Sequence, residues 1–293
     1  MPTFIKNRLI HRVVFSGLFM ISSCYVFGQA TQSVPVTPVT PAVAPQPTVV
    51  PAPMATSSKP FIIVVDAGHG GKDGSTRGLF SREKDVALAT ALQLGQTIAR
   101  DIPNSKVMYT RMDDTFIPLY ERIDIANRAH ADLFISIHCN SMPSNMRGRT
   151  NVSGVETIVS GTGRLGEQEV AARENASILL EKGYKDNYEG FDPNDPESYI
   201  VLSLIKSAYR VKSIRLASFI QKQYIKSGRV DRGVKEQSLA VLAKAGMPAV
   251  LTEIGFISNP EEEEFINSAS GRDEIVQNIK NAIVDYINSL VIK

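Results

Sequence analysis

The 293-residue sequence contains no tryptophan, only two cysteines and four histidines, and its formal net charge at pH 7 is only +2. Because lysines and arginines are interspersed with acidic residues, the composition excludes a strongly basic nucleic-acid surface, and we expect no nucleic-acid partner. Cys24 lies in the apolar N-terminal segment, so Cys139 is the only cysteine in the rest of the chain. We therefore expect no internal disulfide, and the stability of the fold must come from its hydrophobic core.

Long apolar runs are also scarce, and the run at the N-terminus is too short to span a membrane comfortably. Basic residues precede an apolar stretch at Val13–Phe27, and Gly28–Ala30 offers the small residues that signal peptidase requires. This arrangement predicts a signal peptide over residues 1–30. The mature protein is then exported, and we expect it in the periplasm.

A second type of processing site lies within the same segment. Ile21–Cys24 resembles a bacterial lipoprotein box, in which an acylated Cys24 would anchor an envelope protein to a membrane. The apolar run continues through Tyr25–Phe27, where a tether would normally become polar. The sequence therefore favours simple cleavage, with lipidation of Cys24 as the alternative.

Residues 31–60 form a segment rich in proline, threonine, valine and alanine, with eight prolines between positions 35 and 60. Proline lacks a backbone donor and does not continue helices or central strands, so this composition predicts a disordered, extended linker. The folded domain is expected over residues 61–293.

From Phe61 onward, short apolar runs alternate with helical periods, which is typical of an α/β domain. The pattern predicts helices from about Ser81, over Leu119–Ala129 and over the C-terminal stretch that contains Ile275 and Ile287. The predicted strands are Phe61–Val65, Lys106–Thr110, Asp132–His138, Gly154–Ser160 and Ala249–Glu253.

A glycine-rich turn directly follows the first predicted strand, in the stretch VVDAGHGGKDG at Val64–Gly74. Open α/β sheets bind ligands at the carboxyl ends of their strands, which is where His69 lies. Glycines on both sides allow a sharp turn. The stretch lacks both the Walker spacing and the dinucleotide glycine pattern, so a metal is a better candidate ligand than a phosphate.

Three further side chains are candidates to join His69. His138 ends the third predicted strand, Glu253 ends the last one, and Glu83 lies in the first turn of the helix after the glycines. Individually, they are compatible with a core histidine, an acid that pairs with a buried arginine and an ordinary helix-start acid. Together, two histidines and one carboxylate form a recognised catalytic zinc set. His130 lies in a polar context and is expected at the surface.

Several segments of the chain resemble the zinc-dependent N-acetylmuramoyl-L-alanine amidases of the Amidase_3 type, which are bacterial cell-wall hydrolases. The resemblance extends from Phe61 to the C-terminus. Its motifs are VVDAGHGGKDG, SREKDVAL, TRMDD, PLYERIDIANRAHADLFISIHCNS, GVET and RGVKEQSLAVLAKAGMPAVLTEIGFISNPEEEEF.

The resemblance implies a single α/β domain with a mixed, mainly parallel sheet flanked by helices. It implies one Zn²⁺ held by His69, Glu83 and His138, with Glu253 as the catalytic general base and acid. The substrate would be peptidoglycan, cleaved between N-acetylmuramic acid and L-alanine during cell-wall turnover and daughter-cell separation. Cys139 departs from the family's usual small alanine, and strand alternation predicts that it faces away from the metal as an inert buried thiol.

The stretch at about 163–228 is longer than minimal members of the family need. It includes a predicted helical run over Ser198–Ser227 and resembles the regulatory segment of division amidases, in which a helix covers the zinc site until an activator protein displaces it. Glu174 would be the autoinhibitory carboxylate that reaches the metal. The alternative is that these helices simply pack on the sheet and shape the groove.

Two other functions remain open from the sequence. A carboxypeptidase or aminopeptidase of related architecture would use a similar metal set on a different bond. A non-catalytic wall-binding protein is the second alternative, although retention of a general base, Glu253, argues against it.

Overall fold

The computed structural model describes residues 59–161, 163, 167–188, 191–192, 195 and 208–291. The predicted signal peptide and almost all of the predicted linker lie outside these residues. Within the described ranges, no helix combines the length and apolar character needed to cross a membrane.

Six strands form one sheet in the order β2-β1-β3-β6-β4-β5. Every neighbouring pair is parallel except β4 and β6, which are antiparallel. This confirms the predicted mixed, mainly parallel sheet. The strands are β1 Phe61–Ala67, β2 Ser105–Tyr109, β3 Leu133–Asn140, β4 Val155–Ser160, β5 Asp231–Gln237 and β6 Ala249–Phe256.

Helices lie between the strands and after the last one, and two short 3₁₀ turns cover Arg149–Asn151 and Ala176–Leu180. The helices among the described residues are α1 Glu83–Asp101, α2 Leu119–Arg128, α3 Glu169–Asn175, α4 Tyr184–Asn187, α5 Arg210–Lys226, α6 Ala240–Ala243, α7 Pro260–Asn267 and α8 Ala269–Val291.

The sheet separates two hydrophobic cores because successive strand residues face opposite sides. Ile63, Val65 and Ile135 pack with α1, α5 and α8 on one side. Val64 and Phe134 pack with α2, α3 and α6 on the other. Strands buried on both faces consist mainly of apolar residues, which is why the sequence shows β1, β3 and β6 as nearly continuous apolar runs.

Some boundaries differ from the sequence-based expectations. β3 and β6 continue beyond His138 and Glu253, so both residues lie within ordered strands. Strand β5 and helix α7 were not predicted. Of the helical run predicted over Ser198–Ser227, the structure shows α5 from Arg210 to Lys226; residues 208–209 form a turn, and residues 198–207 lie outside the described residues. Cys139 is fully buried in the core on the α1 side, as alternation predicts.

Candidate metal centre and active site

Three parallel strands bring the predicted site residues to one edge of the sheet. His69 follows the end of β1, while His138 lies near the end of β3 and Glu253 near the end of β6. Strand β3 is hydrogen-bonded to both β1 and β6, and His138 and Glu253 are register partners. The carboxyl ends of these strands therefore converge where α/β sheets place their ligand crevices.

Four buried side chains meet at this edge: His69, Glu83, His138 and Glu174. One ligand atom from each lies within 4.8 Å of the other three. Nε2 of His69 is 3.2 Å from Oε1 of Glu83 and 3.0 Å from Oε2 of Glu174. Nδ1 of His138 is 3.1 Å and 2.9 Å from the same two oxygens.

These separations suit a tetrahedral zinc ion. Zinc bonds of about 2.0–2.1 Å to nitrogen and oxygen place tetrahedral ligand atoms about 3.3 Å apart. Moreover, His69 Nε2 and Glu174 Oε2 are buried, face each other and make no hydrogen bond. Buried polar atoms without partners are costly, and a cation between them would remove that cost. The donor set therefore fits the metal that the sequence suggested.

The orientation of the His69 ring is fixed by a second carboxylate. Nδ1 of His69 is 2.8 Å from Oδ2 of Asp73, so Nε2 is the nitrogen that faces the cluster. A carboxylate behind a metal-binding histidine fixes its tautomer and raises its basicity. The backbone of His69 adopts a φ of 58°, a left-handed conformation that the turn imposes. Sequence reasoning did not assign a role to Asp73.

Two buried arginines hold the backbone of this turn. Arg111 donates to the carbonyl oxygens of Ala67 and Gly68, at 2.9 and 2.7 Å. Arg122 donates to the carbonyl oxygen of His69 at 2.6 Å. A Cβ atom built at Gly68 would collide with the ring of His138, so the absence of a side chain allows the two histidines to approach. Both arginines lie in segments that resemble the family, but their contacts were not predicted.

Glu83 is the carboxylate between the two histidines. Its Oε2 accepts hydrogen bonds from the backbone and hydroxyl of Thr76, at 3.3 and 2.8 Å. Its Oε1 accepts from the backbone N–H of Cys139 at 3.0 Å. Burial alone would raise the pKa of Glu83, but the nearby charge of His69 and the side-chain hydrogen bonds with His138 and His69 bring the pKa below its ordinary value. Glu83 is therefore held as an anion.

His138 is shaped by the same carboxylates. Burial would lower its pKa, but Glu174 and Glu83 outweigh burial and raise the pKa of His138 to about 9. Two buried carboxylates around two imidazoles strongly favour a positive charge between them. Protons on the imidazoles or a bound cation would supply this charge.

Glu253 lies beside the cluster and is fully buried. Its Oε1 is 2.9 Å from a guanidinium nitrogen of Arg173, and its Oε2 makes no hydrogen bond. Burial raises the pKa of Glu253 to about 8, and the charge of Arg173 only partly opposes this. Arg173 also pairs with Glu174 at 2.8 Å and donates to Oδ1 of Asn140 at 3.0 Å. Sequence reasoning identified Glu174 but missed its neighbour Arg173.

A groove of about 1030 Å³ opens beside Asn140 and Arg173. Asn140, Glu156 and Arg173 line its inner side, and the basic residues Arg149 and Arg232 line it further out. This volume is at the upper end of the range for ligand-binding clefts. Arg173 lies between this groove and the cluster, since it contacts both Glu174 and Glu253.

Comparison with known proteins places this fold and site in one family. A model of the N-acetylmuramoyl-L-alanine amidases, Amidase_3, matches residues 63–285. The chain belongs to this family, as the motifs around His69, Glu83, His138 and Glu253 predicted.

Two curated relatives illustrate the similarity. The chain is 31% identical over 234 residues to the amidase AmiC of Escherichia coli O6:H1 strain CFT073, covering 79% of this chain and 54% of the relative. It is 30% identical over 233 residues to AmiA of Escherichia coli K12, covering 78% and 76%. The chain therefore spans about half the length of the first relative and about three quarters of the second.

Solved structures show the same architecture. An N-acetylmuramoyl-L-alanine amidase from Clostridium difficile 630 aligns with a TM-score of 0.59 and 26% identity, over 79% of this chain and 99% of that one. The amidase Ami1 of Mycobacterium smegmatis aligns with a TM-score of 0.58 and 16% identity, over 80% and 100%. At this lower identity the likeness concerns the fold alone.

The structure brings together all five residues that the sequence singled out: His69, Glu83, His138, Glu174 and Glu253. His130 lies outside this cluster and is exposed just beyond the end of α2, as its polar context predicts. Asp73, Arg111, Arg122 and Arg173 complete the site and were found only from the geometry.

Proposed function

We propose that this chain is a zinc-dependent N-acetylmuramoyl-L-alanine amidase that cleaves the amide between N-acetylmuramic acid and L-alanine in peptidoglycan. One observation carries the proposal: four ligand atoms lie within 4.8 Å of one another, beside a buried carboxylate, in a chain of the Amidase_3 family. The names of the relatives supply the bond that is cleaved.

His69, Glu83 and His138 would hold the zinc ion, with Asp73 fixing the ring of His69. Bound zinc supplies a Lewis acid that polarises the scissile carbonyl and makes water more acidic. Glu253 would take the proton of the attacking water and then deliver it to the departing amine of L-alanine. In support of that role, Oε2 of Glu253 is buried without a hydrogen-bond partner and lies beside the cluster.

We further propose that the described conformation is a closed, autoinhibited state. Catalytic zinc sites keep one coordination position open for water or substrate, whereas Glu174 would fill the fourth position here. The adjacent Arg173 occupies Oε1 of Glu253 at 2.9 Å. One short helix, α3, would thus block both the metal and the base, which supports the regulatory alternative for the segment at about 163–228.

An activator protein would then be needed to withdraw α3 and open the site. This partner would act during cell-wall turnover and daughter-cell separation, as in the division amidases that the segment resembles. We also propose that residues 1–30 direct export to the periplasm, with a lipid anchor on Cys24 as the alternative.

Digestion of purified peptidoglycan with and without added zinc tests the activity. We expect zinc-dependent release of intact stem peptides that begin with a free L-alanine amine, identified by mass. Shortened stem peptides would instead indicate a carboxypeptidase or aminopeptidase. Zinc binding without turnover, even in a variant with α3 released, would indicate a wall-binding protein.

A further inference from the structure

Helix α7 carries four consecutive glutamates, Glu261–Glu264, directly after its first residue, Pro260. Acidic residues at a helix start are ordinarily solvated and favoured by the helix dipole, and Glu261 and Glu264 are indeed exposed. The two middle residues differ. Glu263 is fully buried and the side chain of Glu262 is 13% exposed, and both carboxylates are directed into the protein.

Glu263 binds the loop that precedes α1. Its carboxylate accepts hydrogen bonds from the backbone N–H groups of Leu79, Phe80 and Ser81, at 2.7, 3.0 and 2.8 Å, and from the Ser81 hydroxyl at 2.7 Å. A Cβ atom at Gly78 would collide with this carboxylate, so the loop closes tightly around it. One buried side chain therefore satisfies three consecutive backbone donors.

This loop is the tip of a hairpin that carries the metal-site carboxylate. The N–H of Gly78 bonds to the carbonyl of Ser81 at the tip, and the N–H of Glu83 bonds to the carbonyl of Thr76 at the base. The Thr76 hydroxyl also holds the Glu83 carboxylate at 2.8 Å. Fixing the tip therefore fixes the arm from which Glu83 reaches the two histidines.

Glu262 binds a different part of the site, the irregular end of β6. His138 pairs with Glu253 and Asn140 pairs with Phe256, so β6 contains one extra residue between Glu253 and Phe256. Such bulges leave a backbone group unpaired and redirect neighbouring side chains. Oε2 of Glu262 accepts a hydrogen bond from the backbone N–H of Phe256 at 2.7 Å. It thereby provides a partner for the backbone donor at the end of this bulge.

Arg229 completes the contact from the other side of the bulge. It pairs with Oε1 of Glu262 at 2.8 Å and donates to the carbonyl oxygen of Ile254 at 3.2 Å. Between them, Gly255 adopts a φ of 152°, which side-chain-bearing residues rarely adopt. The Arg229–Glu262 pair thus brackets the turn of backbone that follows Glu253.

We propose that Glu262 and Glu263 are positioning residues for two separate parts of the active site. Glu263 positions the metal ligand Glu83 through the hairpin, and Glu262, with Arg229, positions the base Glu253 through the bulge. The inference rests on the proposed zinc-amidase function, since it assigns each carboxylate to one half of that chemistry. Adjacent residues in one helix turn should therefore have separable effects.

The variants Glu263→Gln and Glu262→Gln test this, with Glu261→Gln as the matched control because it removes the same charge from the same turn at an exposed position. Zinc affinity is measured by competition with a chelator and coordination by the absorption spectrum of bound Co²⁺. Values of kcat and KM, with the pH profile of kcat/KM, are measured on peptidoglycan in the Glu174→Gln background.

We expect Glu263→Gln to weaken zinc binding by about 10- to 100-fold and to alter the Co²⁺ spectrum, as loss of outer-shell support typically does. We expect Glu262→Gln to keep wild-type zinc affinity. Its kcat should fall by about 10- to 100-fold with little change in KM, because small displacements of a reacting group are costly. The pH profile of kcat/KM should also shift. Glu261→Gln should match the wild type in every measurement.

Wild-type zinc affinity in Glu263→Gln, or an unchanged kcat in Glu262→Gln, would overturn the corresponding assignment. Equal losses of zinc affinity and turnover in both variants would overturn the separation. If either variant fails to fold by circular dichroism, Ser81→Ala and Arg229→Lys remove part of the same contacts and carry the same expectations. A wild-type chain that neither binds zinc nor cleaves peptidoglycan would instead refute the proposed function.

Discussion

The carboxyl ends of the central strands and helix α3 both contribute charged groups to the site, but these two regions are attached to the protein in different ways. His138 and Glu253 lie in strands whose eight residues are all buried and whose backbones belong to the central ladder. Glu174 and Arg173 arrive on a helix of seven residues that contributes no strand to the sheet. The sheet residues cannot leave the site without breaking the fold.

Several hydrogen bonds attach α3 to the end of β5 and to the stretch that follows it. The side-chain amide of Asn175 donates to the carbonyl of Ser238 at 2.8 Å and accepts the N–H of Ala240 at 2.9 Å. Gln237 accepts the N–H of Ala171 at 2.8 Å. Local opening draws on regions held by few such contacts, whereas core strands open only with the whole domain. His138 and Glu253 therefore belong to the central sheet, whereas Arg173 and Glu174 belong to a short helix outside it.

The largest change in activity is expected from substitutions at the carboxyl ends of the strands. Glu253→Ala should lower kcat by about 10²- to 10⁴-fold, the range that a general acid–base group contributes. Zinc content, measured by elemental analysis, should stay at the wild-type level because Glu253 is outside the ligand cluster. His69→Ala is the companion variant and should lose both zinc and turnover. An active Glu253→Ala enzyme would remove the assigned role.

Substitutions in α3 should instead raise the activity. Glu174→Gln and Arg173→Ala each remove one blocking contact, so peptidoglycan hydrolysis without an activator should rise by about 5- to 150-fold, the usual range of coupling between two states. Asp186→Asn, an exposed charge change in the same connection, should leave the rate unchanged. If hydrolysis by Glu174→Gln and Arg173→Ala does not exceed that of the wild type, α3 packs on the site without inhibiting it.

The smallest effect concerns the attachment itself. Asn175→Ala removes two buried hydrogen bonds, so α3 should be held less firmly by about 1–3 kcal/mol. Amide hydrogen exchange should accelerate across Glu169–Leu180, while the midpoint of global unfolding changes little. Lys182→Ala is an exposed control that should leave both unchanged. Acceleration across β3 and β6 as well would show that α3 is not a separable element.

The same distinction explains how much the sequence could predict. Buried parallel strands are apolar throughout, so a histidine or glutamate near the end of such a run, as at His138 and Glu253, is conspicuous. Strand β5 has the sequence DRGVKEQ and lies at the sheet edge with its first residues exposed, so no apolar run marked it. Helix α7 did carry a readable signal, since Asn259 caps it and Pro260 occupies its first turn.

Contacts between distant parts of the chain could not be predicted from the spacing of residues in the sequence. Arg173 stands next to Glu174 in the sequence, but its contact with Glu253 joins residues 80 positions apart. The contacts of Glu263 with the hairpin join residues more than 180 positions apart. Nothing local distinguishes these side chains from ordinary surface charges, because only the packing of α3 and α7 directs them inward.

Gly68 carries no functional group, yet the space it leaves open is occupied by an imidazole from another strand. A single methyl group there would separate residues that are all still present. A homologous sequence with every ligand retained but with alanine at this position would therefore have to move the ring of His138. Judging whether a relative has become a pseudoenzyme requires inspection of its smallest residue as well as its reactive ones.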